Sequence, residues 1–135
     1  MARLHVVAIA ARLPAWAETA CAEYARRMPK GYEVQRLAFK DESRLRTAIP
    51  KGARLVALDE RGREFTSAQF ARLLQAPCAF VIGGADGLSA AIKREAQLTL
   101  RLSAMTLPHG LAQLLLLDQL YRAATLLTGH PYHRA

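Results

Sequence analysis

Apolar residues along this chain fall into short unbroken runs separated by stretches with helical spacing. Val6 to Ala10 is continuously apolar, the pattern of a strand covered on both faces. Pro14 stands where a helix can begin. Trp16, Ala20, Tyr24 and Met28 then recur at helical spacing until Pro29 and Gly31 end the run. Tyr32 to Ala38 reads as a second strand, with a short helix over 41–49 closed by Pro50. Arg54 to Leu58 reads as a third strand, and Asp59-Glu60-Arg61-Gly62 as a polar loop after it. Thr66 and Gln69 form a capping-box pattern that opens a helix running to Leu74. Cys78 to Ile82 is a fourth apolar run and leads straight into Gly83-Gly84. Ser89 caps a helix over 90–96, Leu98 to Leu102 reads as a fifth strand, and 105–109 as a loop. A long amphipathic helix follows over 111–127, with Leu111, Leu114, Leu115, Tyr121 and Ala124 on or near one stripe.

Strands alternating with helices predict an α/β fold: a parallel sheet with helices on both faces, in one domain spanning 1–135. Ligands of such sheets bind beyond the carboxyl ends of the strands. That rule selects three loops: the one after Leu58, the one at Gly83 to Ser89, and the one at Ser103 to His109.

Each loop is modest evidence alone. Gly83-Gly84-Ala85-Asp86-Gly87 can bring backbone close to a ligand, and reads equally well as a tight strand-to-helix turn. It is neither GxGxxG nor a P-loop, and no dinucleotide fingerprint follows the first strand. On spacing alone, Ser103 to His109 reads as a buried connection whose amides could hold an adenine edge, and Arg122 as a snorkelling surface residue. The end of the chain concentrates aromatic, imidazole and guanidinium groups at His130, Tyr132, His133 and Arg134, which suits a tail facing RNA or a partner. Two nearby histidines without cysteine support do not make a zinc site, so no metal is expected.

Charge sharpens the choice of partner. The 135 residues carry 19 Lys plus Arg against 11 Asp plus Glu, a formal net charge of +8. That balance favours a polyanion. All but four of the cations are arginine, which forks onto phosphates and stacks on bases. A hydrophobic content of 52% is ample for a packed core. Cys21 and Cys78 have no metal spacing and read as reduced, buried small hydrophobes. The first apolar run is too short to span a bilayer and lacks the regions of a signal peptide. A cytoplasmic location without membrane association is therefore expected.

Three segments carry a resemblance. Phe80-Val81-Ile82-Gly83-Gly84-Ala85-Asp86-Gly87-Leu88-Ser89 resembles the IGGxxG(L/I)S segment of the SPOUT family that methylates N3 of a pseudouridine in large-subunit 23S ribosomal RNA. Leu102 to His109 resembles that family's second motif. Leu120-Tyr121-Arg122-Ala123, with His130-Pro131-Tyr132-His133-Arg134, resembles its third motif and its terminus. The opening strand and 23–27 also match family positions, so the likeness covers essentially the whole chain. Segments 38–54 and 74–78 are shorter than in the family. Gly110 and Gln113 stand where many relatives carry proline and a basic residue, and Gly129 where asparagine is common.

The resemblance implies a trefoil knot in the C-terminal part of the chain, and a homodimer whose active sites form across the interface. The apolar stripe of the last helix is the candidate dimer face. It implies S-adenosylmethionine bound by Leu58, Gly84, Ser103, Ala104, Met105, Thr106, Leu107 and Pro108, the same three loops that the sheet rule selects. The implied acceptor is ribosomal RNA, in the assembled particle. Methylating N3 requires loss of its proton, and the resulting charge spreads onto the flanking carbonyl oxygens. Arg122 and Arg134 are the candidate stabilising cations, His109 or His133 the candidate proton acceptor, and Tyr132 the candidate holder of the base. The alternatives are a non-catalytic RNA-binding module on the same scaffold, or a SPOUT enzyme for another RNA nucleoside.

Overall fold

A computed structural model describes residues 3–9, 12–84, 86–129 and 132. Five strands alternate with helices: β1 Leu4–Ile9, α1 Ala15–Arg27, β2 Val34–Phe39, a 3₁₀ turn Glu42–Arg44 running into α2 Leu45–Ala48, β3 Arg54–Glu64, α3 Ser67–Leu73, β4 Cys78–Ile82, α4 Ala90–Glu95, β5 Leu98–Arg101 and α5 His109–Thr128. The strands form one parallel sheet in the order β2-β1-β4-β3-β5. β1 and β4 lie inside it and are buried along their whole length, as continuously apolar parallel strands must be.

Side-chain alternation sorts the core into two layers. Leu4 and Val6 of β1 and Cys78 and Phe80 of β4 point to the face covered by α1, α3 and α5. Val7, Ile9 and Val81 point to the other face, where Leu45 of α2 and Ile92 of α4 cover them. Both cysteines are buried and free, and burial pushes both thiols up. The two expected caps form. Thr66 Oγ1 accepts from the Gln69 amide while Gln69 Oε1 accepts from the Thr66 amide, and Ser89 Oγ accepts from the Ile92 amide. Each such cap is worth about 1 kcal/mol.

Two expectations need correction. Residues 59–62 are not a free loop: the strand continues to Glu64. β3 pairs with β5 at Leu58↔Leu100, bulges, and pairs again at Arg63↔Leu100. Polarity suggested a loop because the extension is an edge segment that buries little. The bulge turns Asp59 and Glu60 toward the carboxyl end of the sheet, a common use of this irregularity. The helical stripe in α1 holds at Tyr24 and Met28, which pack against the core, and is displaced by one residue in its first half. Ala17 and Cys21 are buried, whereas Trp16 is 57% exposed. Small residues win the contact because α1 packs closely on α5, where Gly110 meets Leu13, Pro14 and Ala17. On α5, Leu116, Leu117, Leu120, Ala123 and Ala124 face the core while Leu111 is exposed.

His5 is buried in β1, and desolvation holds its imidazole below its usual pKa of 6.5 despite a hydrogen bond with Gln35. A lowered folded-state pKa means that the unfolded chain binds more protons in acid, so stability falls as pH drops below about 6.5. Thermal unfolding followed from pH 7 to pH 5 should show a falling midpoint. His5→Val should flatten that limb.

Candidate functional site

The carboxyl ends of β3, β4 and β5 frame a cleft of about 520 Å³, within the range of small-molecule sites, roughly 300–1,000 Å³. Its walls are the β3 bulge from Leu58 to Glu60, the glycine turn after β4, and the β5–α5 loop up to His109. Of the residues expected to hold a cofactor, Leu58, Gly84, Ser103, Met105, Thr106, Leu107 and Pro108 line it. Ala104 is exposed and does not.

The glycine turn is shaped by backbone crowding. A Cβ on Gly83 would lie 2.6 Å from the Gly87 carbonyl carbon, closer than side chains tolerate. The Gly87 amide donates to the Gly84 carbonyl at 2.9 Å, and Gly87 adopts φ +74°, a left-handed conformation that favours glycine. In the β5–α5 loop, Ser103 Oγ accepts from the Met105 amide at 2.9 Å, and Met105 stands 77% exposed. The cleft carries Asp59, Glu60 and Asp86 against Lys93 and Arg101. Lys93 lies 3.6 Å from Asp59, and Arg101 pairs with Glu64. The carboxylates therefore outnumber the cations, which suits a positively charged ligand.

His109 closes the floor. Its Nδ1 lies 2.8 Å from the Gly83 carbonyl oxygen. A carbonyl only accepts, so Nδ1 carries a proton; in the neutral ring the lone pair is then on Nε2. That Nε2 is buried and has no hydrogen-bond partner among the described residues.

The remaining expected residues lie elsewhere. Arg122 is on α5, thirteen residues beyond His109, about 20 Å along the helix axis. Its guanidinium covers the Tyr132 ring at 5.2 Å, and that ring lies 4.7 Å from Tyr121. The Tyr132 hydroxyl donates to Asp118 Oδ1 at 2.5 Å and lies 3.3 Å from the Tyr24 hydroxyl. The bond to Asp118 first, then that to Tyr24, pushes the phenol above its ordinary pKa. Neither Arg122 nor Tyr132 lines the cleft of its own chain. His133 and Arg134 lie outside the described residues, as does His130.

Sequence reasoning missed a second cavity of about 360 Å³ that shares the His109 wall and includes Arg12, Arg36 and Lys40. These cations come from three separate places in the chain, so no motif announced them. Gln113, where the resemblance leads one to expect a basic side chain, is buried and accepts from Arg36 Nη2 at 3.1 Å. A guanidinium thus reaches that place from β2. Among the described residues no cluster could hold a metal ion, and no helix is long and apolar enough to cross a membrane.

Comparison with known proteins agrees with this architecture. The family described as "Predicted SPOUT methyltransferase" matches residues 2–133. The ribosomal RNA large subunit methyltransferases H of Burkholderia mallei and Burkholderia pseudomallei are each 44% identical over 155 aligned positions, covering 98% of this chain and 99% of theirs. Among solved structures, a probable methylase family protein from Haemophilus influenzae aligns with a TM-score of 0.66 at 11% identity, over 97% of this chain and 70% of that one. The SpoU methyltransferase AviRb from Streptomyces viridochromogenes, in complex with AdoMet, aligns with a TM-score of 0.55 at 16% identity, over 93% of this chain and 60% of that one. The family match over nearly the whole length, and the glycine turn and loops that carry it, make this chain a member of the SPOUT methyltransferase family.

Proposed function

We propose that the protein transfers a methyl group from S-adenosylmethionine to N3 of a pseudouridine in 23S ribosomal RNA, in the large subunit or the assembled ribosome, in the cytoplasm. The observation that carries this reading is the cleft built by the three family loops, with His109 in its wall. Full-length similarity to relatives named for large-subunit ribosomal RNA supports the substrate, as does the net charge of +8.

The chain's residues fit the methyl donor. Backbone of 103–108 and of the glycine turn forms polar edges for a nucleoside, and the excess of carboxylates suits a cationic ligand. When bound, S-adenosylmethionine supplies a methyl group on a positively charged sulfur. Methyl transfer is an in-line displacement, so the protein's main task is to align the acceptor. His109, which lines the cleft and is oriented by the Gly83 carbonyl, is the candidate acceptor of the N3 proton. Arg122, with Arg134 from the tail, stabilises the charge on the flanking carbonyl oxygens. Tyr132 holds the base.

Arg122 and Tyr132 stand about 20 Å along α5 from His109, too far to serve the cleft of their own chain. A second copy therefore brings them to it. Exposed Trp16 on α1 and Leu111 on α5 supply apolar surface for that homodimer. The C-terminal part of the chain forms a trefoil knot in this reading.

Gly83→Ala forces the turn apart, so calorimetry should show cofactor affinity weakened tenfold or more, about 1.4 kcal/mol, in a folded protein. Unchanged affinity would remove the glycine turn from the site. Large subunits from cells lacking this gene provide the methyl acceptor, with mass spectrometry as the readout. His109→Asn keeps a donor for Gly83 but lacks the Nε2 lone pair, and should lose about 10²–10⁴-fold in rate. Arg122→Ala should abolish transfer with the fold intact. Mixing and reassociating the two variants should restore about a quarter of wild-type activity, since half the dimers then hold one complete site. No restoration would contradict the composite site, and near-normal turnover by Arg122→Ala alone would refute its role.

A further inference from the structure

The second cavity lies beyond the carboxyl ends of β1 and β2 and touches the cofactor cleft through His109. Three cations from distant positions meet there: Arg12 from the segment after β1, Arg36 within β2, and Lys40 just after β2. Glu18 is the single carboxylate in the lining, which leaves two positive charges with His109 neutral. Arg12 and Lys40 are exposed. Arg36 is mostly covered, its side chain 18% exposed, and is held in place through its two Nη atoms by Glu18 and Gln113. Glu18 itself is 57% exposed, and the hydrogen bonds from Arg36 hold its carboxyl below the ordinary range.

Arg36 Nε is buried without a hydrogen-bond partner among the described residues, because Glu18 and Gln113 take only the two Nη atoms. The floor, with Leu37 and Phe39, is apolar, so the cations stand at the rim of a pocket rather than on a flat charged surface.

We infer that this cavity is an RNA subsite. It takes a backbone phosphate beside the acceptor nucleotide, held by Arg12 and Lys40 at the rim and by the fixed guanidinium of Arg36 behind. The inference rests on the reading of the protein as an RNA methyltransferase. It assigns the contact that positions the strand while the adjoining cleft performs the chemistry. Phosphate contacts set register and orientation without reading sequence, and the common wall at His109 sets how far the held phosphate lies from the methyl donor.

The test measures binding of the full-length protein to large ribosomal subunits over a range of salt concentrations. Wild type is compared with Arg12→Ala/Lys40→Ala, and with Lys51→Ala/Arg72→Ala. The second pair removes the same charge from exposed positions that line neither cavity. In the cavity variant, affinity should drop about tenfold or more, and the slope of log K against log salt should shrink by about 1 per lost contact. Cofactor affinity should be unchanged. The control pair should keep the wild-type slope. Equal slopes in wild type and cavity variant, or equal losses in both double variants, would overturn the inference. If the wild-type protein does not bind the subunits at all, both this subsite and the proposed function fall.

Discussion

The hydrogen bond from His109 to the Gly83 carbonyl ties the exit of β4 to the first residue of α5, and the site is organised around it. Gly83 can stand there because it has no side chain. The backbone of Gly87 and Leu88 occupies the space that a Cβ would need. The turn is therefore held from two sides, by its own doubling back and by the imidazole. The same bond commits one imidazole nitrogen as a donor, so that in the neutral ring the other is left as an acceptor. The strand exit, the glycine turn and the start of α5 meet in one contact 2.8 Å long.

Around that contact the molecule separates charge. On one side, Asp59, Glu60 and Asp86 line a cleft suited to a cation. On the other, Arg12, Arg36 and Lys40 line a cavity suited to an anion. His109 belongs to both walls. A methyl donor that is positive and an RNA that is negative could thus meet across a single side chain without either facing the wrong field. α5 adds the third part at a distance. Farther along it, Asp118 and Arg122 hold the Tyr132 side chain, away from the cleft of the same chain.

Much of this was legible in the chain. Buried parallel strands announce themselves as apolar runs, and β4 was read to the residue. Caps with a local hydrogen-bonding logic, at Thr66 and Ser89, were equally plain. The three loops that line the cleft followed from the rule for carboxyl ends of parallel strands and from family resemblance. What escaped depends on contacts distant in sequence. The β3 extension is polar because it is an edge, so it resembles a loop. Trp16 looked like core because its spacing was right, but close approach of α1 and α5 at Gly110 selects small residues instead. The basic cavity unites residues that share no motif, and the bond from Arg36 to Gln113 spans 77 positions.

The protonation state of His109 tests this account most directly. Long-range nitrogen–proton correlation spectra of isotope-labelled protein near neutral pH distinguish the two imidazole tautomers, and the His109→Asn protein assigns the signal. The account requires a neutral ring with the proton on Nδ1 and a bare Nε2. A proton on Nε2, or a ring charged at that pH, would contradict it.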